Sequence, residues 1–377
     1  MSRTTEYSLH TTGQGLMSDQ PDLPTLRARI DALDEQLQTL ISERARCAQQ
    51  VAEVKRAAGE LNDFYRPERE AEVLRRVAER NKGPLTNEAL VQIYRELMSA
   101  CRGLEGPLHV AFLGPEGTFT EAAAHKHFGH AVKAVPSAAI DEVFREVEAG
   151  TAHYGVVPVE NSTEGMISHT LDLFLNSPLK ICGEIELRVH QNLLGNVADP
   201  AAATRVYSHQ QSFAQCREWL DAHLPHAERI TVSSNAEAAR RAQDEGDCLA
   251  IASAAAAARY SLKILHSNIE DEPDNTTRFL VIGRQQVAPS GTDKTSLLVS
   301  TRNRPGALHR LLAPLSQHGI SMTRIESRPS RRSTWDYVFF VDIEGHQQDA
   351  KVKEALAALE QEAALFKVLG SYPAAVL

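Results

Sequence analysis

The first strong pattern in the chain is a run of apolar residues at three- and four-residue steps. No proline interrupts this run before Pro67. Its members are Leu26, Ile30, Leu33, Leu37, Leu40, Cys47, Val51 and Val54. This period predicts one amphipathic helix of roughly 33 residues, about 50 Å long at about 1.5 Å per residue. A single helix of this length is marginal in water, so we expect a partner along its whole apolar stripe.

Two shorter helices are expected after the long one. Pro67 begins the segment RPEREAEVLRRVAERNKGP, whose Gly-Pro pair ends it, and LTNEALVQIYRELMSACRGLEG follows with Thr86 or Asn87 as its N-cap. Three helices, one of them far longer than the others, predict an intertwined helical dimer. Residues 1–16 are polar and have no period, so we expect a disordered extension there.

From His109 the pattern changes to short apolar strands that alternate with helices. The strands include HVAFLG, YGVVPVEN, DCLAIAS and TRFLVIG, and the helices include AIDEVFREVEAG and NAEAARRAQDEG. Such alternation is typical of an α/β fold with a mainly parallel sheet, and the connection LKICGEIELRVHQNLLG favours two lobes. After the linker-like segment from Pro289 to Gly291, the pattern predicts βαββαβ.

Length, charge and cysteine content narrow the class of protein. The 377 residues exceed the roughly 250–300 at which one core stops growing, so we expect two or three domains. The net charge of −9 argues against a nucleic-acid partner, and no apolar run approaches the roughly 20 residues of a membrane span. The N-terminus lacks a secretory pattern, and the five cysteines form no CxxC pair, which predicts reduced core thiols in a cytoplasmic protein.

Three cations lie along the long helix. Arg44 and Lys55 are eleven residues apart, so they point along one face roughly 16 Å apart and can converge on a small anion. Arg27 lies some 25 Å from Arg44 and is rotated by about 100°, so it reaches the same molecule only from a second chain. The competing interpretation is a set of solvated charges, which is the commoner state of a single helical arginine.

The helical segment resembles the all-helical chorismate mutase domain, on the motifs LRARIDALDEQLQTLISERARCAQQVAEVK and YRPERE. The resemblance implies that Arg27 of one chain, with Arg44 and Lys55 of the other, binds the two carboxylates of chorismate. It also implies that Glu70 orients the substrate hydroxyl, with Arg69 beside it.

The same resemblance assigns the groups that act on the ether oxygen of chorismate. The rearrangement to prephenate is concerted, so it needs a folded substrate and donors aimed at that oxygen. Lys55 is placed as one donor, and Glu105 takes the position where several relatives carry a glutamine. An acidic residue that some members use in the preceding loop has no clear equivalent, because Arg66 occupies its position and Asp63 lies three residues earlier.

Polar clusters follow several strands of the α/β segment, at the sheet edge where such folds bind ligands. They are GPEGTFT, VPVENSTEG, SHQQSFAQC and NTTRF. Each one alone is more often a helix cap or an Asx turn than a ligand site, and GPEGTFT lacks both nucleotide-loop patterns. Together they resemble prephenate dehydratase, which implies a two-lobed fold like that of periplasmic binding proteins.

This second resemblance implies roles for individual residues. Thr277 would be the catalytic hydroxyl that hydrogen-bonds the departing ring hydroxyl of prephenate. Arg278 would either clamp a carboxylate or fix the loop. Glu160 would supply the proton that threonine is too weak an acid to give. The residues expected to hold the carboxylates and the pyruvyl group are Thr118, Asn161, Ser162, Ser208 and Gln215.

The C-terminal segment resembles an ACT regulatory domain of the phenylalanine-binding kind, on the signatures RPGALHRLL and ESRPS. The resemblance implies a phenylalanine site that is completed across a dimer interface. An isolated Pro-Gly would by itself only start a helix. The residues expected at this site are Gly306, Ala307, Leu308, Glu326, Ser327, Arg328 and Pro329.

These resemblances imply a chain that rearranges chorismate to prephenate and converts prephenate to phenylpyruvate with loss of water and carbon dioxide. Phenylalanine would inhibit it, and neither a cofactor nor a metal is expected. The expected units are residues 17–106, 107–286 and 292–377, assembled as a homodimer or a dimer of dimers.

Two other classes of protein fit parts of the pattern. A two-lobed segment could be a small-molecule sensor without activity, but the missing secretory signal and Thr277 in TTRF argue against it. The helical segment could be a scaffold that only holds subunits together. The residues that argue for a working mutase are Arg27, Arg44, Lys55 and Glu70.

Overall fold

The computed structural model describes residues 22–59, 65–163, 165–302, 304–329 and 337–376. The chain divides into two compact units, of which the first ends at Cys47 and the second begins at Ala48. Each unit is described by itself. The long helix α1, which belongs to both, spans 35 residues, as the apolar period predicts.

The elements follow one another in three groups. The helical group contains α1 (Leu23–Ala57), α2 (Pro67–Arg80) and α3 (Asn87–Gly103). The second group contains β1 (His109–Leu113), α4 (Phe119–Phe128), β2 (Lys133–Ser137), α5 (Ile140–Ala149), β3 (Tyr154–Asn161), β4 (Gly165–Met166), α6 (Ser168–Phe174), β5 (Lys180–Arg188), β6 (Asn192–Gly195), β7 (Arg205–Ser208), α7 (Gln210–Gln215), α8 (Arg217–His223), β8 (Glu228–Thr231), α9 (Asn235–Glu245), β9 (Leu249–Ala252), α10 (Ala254–Arg259), β10 (Lys263–His266) and β11 (Thr276–Gly283). The third contains β12 (Asp293–Ser300), α11 (Ala307–Gln317), β13 (Met322–Pro329), β14 (Tyr337–Glu344), α12 (Ala350–Glu362) and β15 (Leu365–Pro373).

The starts of α2 and α3 follow the local chemistry of the sequence. Pro67 occupies the first turn of α2, where the missing N–H of proline costs no helical hydrogen bond. The Thr86 hydroxyl accepts a hydrogen bond from the Ala89 amide, so Thr86 and not Asn87 is the N-cap of α3. The two helices pack through a small core of Leu74, Val91 and Met98.

The second group forms two sheets, which gives the two lobes that the sequence predicts. One sheet has the order β2-β1-β3-β11-β5 with β4 beside β3, and the other has the order β10-β6-β9-β7-β8. Both sheets contain parallel and antiparallel strand pairs, so the prediction of a mainly parallel sheet is wrong. In the first sheet, β11 returns from the second sheet and inserts antiparallel between β3 and β5. In the second sheet, β6 runs antiparallel to both β9 and β10.

The third group is an antiparallel sheet of order β13-β14-β12-β15, which confirms the predicted βαββαβ pattern. Helices α11 and α12 cover one face through Leu311, Leu315 and Leu359. The other face packs against the first sheet of the second group, where Leu369 and Tyr372 share a core with β11 and β5.

The five cysteines form no disulfide. Four of them are buried, whereas Cys47 is exposed on α1, so the expectation of core thiols holds for four of the five. None of the helices that the structure describes is long and apolar enough to cross a membrane.

Candidate active sites

The first residues of β11 form a buried polar centre with the end of β3. The register places Thr277 opposite Asn161, and both side chains are at least nine-tenths buried. The Asn161 Nδ2 donates to Thr277 Oγ1 at 2.9 Å and to Asn275 Oδ1 at 2.8 Å. Because the threonine hydroxyl accepts from this amide, its own proton remains to be donated to another group.

Asn275 belongs to the same centre, although the sequence interpretation gave it no role. It is 1% exposed, and its Nδ2 is buried without a hydrogen-bond partner in the structure. A buried amide donor left unpaired costs free energy, so this atom fits a position that a ligand or water oxygen fills. The only signal in the sequence is its place two residues before Thr277.

Ser162 and Thr118, both expected at the prephenate site, make local hydrogen bonds. Ser162 Oγ accepts from the Thr276 amide at 3.0 Å, which holds the start of β11. Thr118 Oγ accepts from the Glu121 amide at 3.4 Å and donates to the Leu113 carbonyl at 3.1 Å. Thr118 is therefore the N-cap of α4, the commoner role of a threonine at a helix start.

A second polar cluster lies in the other lobe, at the ends of β7 and β9. Ser208 Oγ donates to Asn235 Oδ1 and to the Ile251 carbonyl, both at 3.2 Å. Asn235 Nδ2 donates to Ser212 Oγ at 2.8 Å. The cluster thus joins Ser208, a predicted site residue, to Ser212 and Asn235, which the sequence interpretation did not name.

Gln191 connects this cluster to Gln215. Its Nε2 donates to Ser212 Oγ and to Gln215 Oε1, both at 3.1 Å. The side chain is 1% exposed. Ser208 and Gln215, which the sequence places about two helical turns apart, are therefore parts of one hydrogen-bonded network. Gln191 could not be assigned from sequence, because it precedes β6 and carries no local motif.

The two lobes touch beside the loop GPEGTFT. Ser253 Oγ donates to the Gly117 carbonyl at 3.1 Å, and the Tyr260 hydroxyl donates to the Glu116 carbonyl at 3.2 Å. Both donors lie at the ends of α10 in the second lobe. This loop therefore bounds the cleft between the lobes.

Arg278 and Glu160 point away from Thr277, towards the C-terminal sheet. The Arg278 guanidinium makes ion pairs with Glu184 at 3.0 Å and with Asp342 at 2.8 Å. Glu160 Oε2 lies 2.9 Å from Arg324 Nη2 on β13. Of the two roles left open for Arg278, this geometry favours fixing the strand over clamping a carboxylate. It also places Glu160 away from the Thr277 hydroxyl.

In the second unit, the side chains of Lys55 and Glu105 lie close together. Lys55 Nζ lies 3.9 Å from Glu105 Oε2, and Arg56 donates to the Glu105 carbonyl at 2.9 Å. Burial raises the pKa of the Glu105 carboxyl against the opposing effect of Lys55, Arg102 and Arg56. Glu105 Oε2 is buried without a hydrogen-bond partner in the structure, as expected of an atom that faces a ligand.

Glu70 makes an ion pair with Arg102, which the sequence interpretation missed. Arg102 is 5% exposed and also donates to the Phe128 carbonyl at 2.5 Å. Arg69, expected beside the substrate, instead pairs with Glu72 at 2.9 Å on an exposed face.

The other expected mutase residues are placed as follows. Arg66 pairs with Glu68 at 2.8 Å, and Asp63 lies outside the described residues. In the first unit, Arg27 is exposed and Arg44 half-buried on α1.

The residues expected to bind phenylalanine lie on α11 and β13. Gly306 precedes α11 with φ of +73°, a backbone conformation that favours glycine, and Ala307 and Leu308 begin the helix. Glu326, Ser327, Arg328 and Pro329 end β13, an edge strand of its sheet, while Ser330 of the ESRPS signature lies outside the described residues.

One cluster among the described residues has the chemistry of metal ligands: Glu245, Asp247 and Cys248. Arg205 pairs with Glu245 at 2.8 Å and with Asp247 at 3.1 Å, so one cation offsets part of the charge of the two carboxylates. Burial and the two carboxylates raise the pKa of the Cys248 thiol to about 12, so it remains protonated at neutral pH. Cys248 Sγ lies 3.1 Å from Glu245 Oε2 and 3.0 Å from Asp247 Oδ1, so the three groups pair with one another and with Arg205.

Comparisons with known proteins cover all three groups of elements. Residues 26–106 match the family model for chorismate mutase type II, residues 110–287 that for prephenate dehydratase, and residues 295–361 that for the ACT domain. A bifunctional chorismate mutase/prephenate dehydratase of Pseudomonas aeruginosa is 59% identical over 365 residues, which cover 96% of this chain and 100% of the relative.

Two solved structures each match 71% of this chain. A prephenate dehydratase of Arthrobacter aurescens in complex with L-Phe is 34% identical, with a TM-score of 0.66, and the match covers 71% of this chain and 90% of that one. A protein described as a novel type of quorum-quenching acylase is 31% identical, with a TM-score of 0.65, over 71% of this chain and 98% of that one. This fold therefore occurs with more than one reported activity, so fold alone does not fix function.

The match over nearly the full length is more specific than the shared fold. The three family models follow one another in the order of the three groups, and the 59% identity extends through all of them. The chain therefore belongs to the family of bifunctional chorismate mutase/prephenate dehydratases, which join an isomerase and a lyase of phenylalanine biosynthesis in one polypeptide.

Proposed function

We propose that residues 107–286 convert prephenate to phenylpyruvate, with Thr277 as the catalytic hydroxyl. The observation that carries this proposal is the 2.9 Å hydrogen bond from Asn161 Nδ2 to Thr277 Oγ1 in a buried setting. Because Thr277 Oγ1 accepts from this amide, its proton points away from Asn161 and is available for a hydrogen bond to the departing ring hydroxyl. Loss of water and carbon dioxide forms an aromatic ring, so positioning is the main requirement on the protein.

The two polar clusters supply the remaining contacts to prephenate. Asn161 and Asn275 lie beside Thr277, and the unpaired Asn275 Nδ2 offers a donor for a substrate oxygen. Ser208 and Gln215 offer further polar groups from the second lobe. Substrate bound between the lobes would thus meet one cluster from each side, as ligands of two-lobed folds commonly do.

One assay tests both activities and separates the alternatives. Purified protein is given chorismate, and the loss of chorismate and the appearance of phenylpyruvate are followed separately, with prephenate as the second substrate. We expect phenylpyruvate from both substrates. No product from either would indicate a sensor, and product from prephenate alone would indicate that the helical segment is only a scaffold.

For the mutase reaction, residues 17–106 would bind chorismate with Lys55 and Glu105 near its ether oxygen. A protonated Glu105 can donate to this oxygen, whereas an ionised one only accepts and would repel the negative charge that develops there. Burial raises the pKa of Glu105, which favours the protonated form.

The direction of the pKa shift predicts a pH dependence. Mutase kcat/KM should rise as the pH falls from about 8 towards 5, because a carboxyl with reference pKa near 4.3 and an upward shift takes up its proton in that direction. Glu105→Gln should stay active and lose this dependence, since the amide donates at every pH. Dehydratase activity of the variant is the internal control. Superimposable mutase profiles for the two proteins would place Glu105 outside the site.

Regulation by phenylalanine is proposed for the C-terminal group, residues 292–377. Support comes from the ACT family match and from the relative that was solved with L-Phe. The ligand would lie beside the glycine turn before α11 and against the end of β13 from a second chain. Since inhibition requires phenylalanine to bind one conformational state better than another, a change at this turn should alter inhibition without removing catalysis.

Valine at Gly306 should therefore weaken phenylalanine binding at least about tenfold, which corresponds to roughly 1.4 kcal/mol. The added Cβ would lie 3.2 Å from Arg310 Nη1, and a β-branched residue is strained at φ of +73°. Gly319→Val is the matched control, because Gly319 has φ of +62° and a Cβ there meets nothing within 4 Å. Calorimetry with phenylalanine decides: equal affinity in wild type and Gly306→Val would contradict the placement.

A homodimer is proposed because the apolar stripe of α1 is exposed. Leu33, Leu37 and Leu40 are 49%, 55% and 60% exposed, and Val54 is 70% exposed. A second copy would cover this stripe and bring Arg27 of one chain to Arg44 and Lys55 of the other. A dimer of dimers would follow from further pairing, and we place the protein in the cytoplasm, where its proposed pathway would operate.

A further inference from the structure

Arg278 and Glu160 lie next to Thr277 and Asn161 in the sequence, and they face the C-terminal sheet. In the register of β3 and β11, Thr277 is opposite Asn161, and Arg278 is opposite Glu160. Successive side chains of a strand point to opposite faces of the sheet. Thr277 and Asn161 therefore share one face with each other, while Arg278 and Glu160 share the face that packs against β13 and β14.

Arg278 and Glu160 both form ion pairs with residues of the C-terminal sheet. Arg278 Nη1 lies 2.8 Å from Asp342 Oδ2 on β14, and this aspartate also accepts from Ser296 Oγ at 2.5 Å. Glu160 Oε2 lies 2.9 Å from Arg324 Nη2 on β13. The C-terminal sheet thus contacts β3 at Glu160 and β11 at Arg278, the residues next to Asn161 and Thr277.

The ion pair between Glu160 and Arg324 is more exposed than the ion pairs of Arg278, so its geometry can change more easily. The Arg324 side chain is 16% exposed and that of Glu160 is 39% exposed, whereas Arg278 lies between two carboxylates that are almost fully buried. Arg324 also contacts Met166, the residue of β4 that pairs with Glu160 across the strands. Movement of β13 would therefore move the end of β3, and Asn161 with it.

We propose that Arg324 is a positioning residue for the dehydratase reaction. It holds the side chain of Glu160, which keeps Asn161 in place to orient the Thr277 hydroxyl. Glu160 then acts as an anchor and not as the proton source that the sequence suggested. The inference rests on the proposed role of Thr277. It means that β13 of the C-terminal sheet influences the position of the Thr277 hydroxyl through Arg324, Glu160 and Asn161.

Four single variants separate anchoring from proton transfer. Arg324→Met and Glu160→Ala should each lower dehydratase kcat between about tenfold and a hundredfold, as small misplacements of a catalytic group do. Glu160→Gln should retain most of kcat, because its amide oxygen still accepts from Arg324 but cannot supply a proton to the substrate. Arg324→Lys should lose less than Arg324→Met, because it keeps a cation in place. Mutase activity should be unchanged in all four.

A double-mutant cycle tests whether the two residues act through each other. Glu160→Ala with Arg324→Met should be no slower than the slower single variant, since both changes break the same contact. Lys367→Met is the matched control. Lys367 is another cation of the C-terminal sheet, and it donates to the Phe174 and Ser177 carbonyls at 2.8 and 2.6 Å. Ser177 precedes the start of β5, whereas Arg278, the partner of Glu160 in the register, pairs with Glu186 near the other end of β5. Lys367→Met should keep kcat even if thermal stability falls.

Several outcomes would overturn the proposal. Wild-type kcat in Arg324→Met would remove the positioning role, and Glu160→Gln as slow as Glu160→Ala would restore the proton-transfer role. Multiplied losses in the double variant would show that the residues act independently. If Arg324→Met does not fold, the half-exposed Glu160 variants and Arg324→Lys still decide. Near-normal dehydratase activity in Thr277→Ala would instead refute the proposed role of Thr277, which keeps the two failures distinct.

Discussion

Replacement of Thr277 by alanine is expected to lower dehydratase kcat by at least about a hundredfold, the loss commonly seen when one aligned donor is removed. The hydroxyl is buried and accepts from Asn161, so alanine removes a buried donor that the protein holds in place. Asn161 keeps its bond to Asn275 in the variant, and the fold should be retained. Phenylpyruvate formation from prephenate is the measurement.

Thr277→Ser is the matched control for this prediction. Serine keeps the hydroxyl and loses only a methyl group, so it should recover a large part of the rate. Mutase activity should be equal in all three proteins, because Lys55 and Glu105 lie in the helical group. Near-normal phenylpyruvate formation by the alanine variant would remove Thr277 from the mechanism.

Replacement of Arg278 by methionine is expected to destabilise the fold by about 3–5 kcal/mol, the usual cost of removing one partner of a buried ion pair. The Glu184 side chain is fully buried and that of Asp342 is 11% exposed, so two carboxylates would lose their shared cation. Lys294 still pairs with Glu184 at 2.6 Å, which leaves Asp342 as the group most affected. Denaturant unfolding measures the change.

Arg188→Met provides the comparison for Arg278. Arg188 pairs with Asp274 at the end of the same sheet, but these side chains are 52% and 93% exposed, and an exposed pair contributes only about 0–1 kcal/mol. A substrate clamp would behave differently from a structural ion pair: KM for prephenate would rise and stability would not change. Unaltered stability of Arg278→Met with a raised KM would therefore return Arg278 to the substrate site.

Much of the fold follows from local patterns in the sequence. The period that begins at Leu26 predicts the long helix, and the β and α segments after Asp293 predict the C-terminal sheet. Strand direction does not follow in the same way. The apolar residues of β11 predict a buried strand but not its direction. The strand is antiparallel to β3 and β5 because the chain returns to the first sheet from the second lobe.

The sites were less predictable than the fold, for a physical reason that Arg278 illustrates. Motifs place polar residues near strand ends, but the face on which a side chain lies depends on the register with other strands. A register shift between Arg278 and Phe279 decides which residues of β3 lie opposite them, and no local pattern encodes it. Arg102 and Asn235 were missed because their partners lie 32 and 27 residues away, on other elements.

The exposed stripe of α1 has a thermodynamic consequence. If a second copy covers the apolar side chains at Leu33, Leu37 and Leu40, folding of this helix and assembly of the dimer become one equilibrium. Mass action then applies, and the free energy of unfolding of the helical group has no value apart from the protein concentration at which it is measured. Dilution alone would expose the stripe and separate Arg27 from its proposed partners. Mutase activity would be lost at low concentration, while the dehydratase cleft, built within one chain, would keep its geometry.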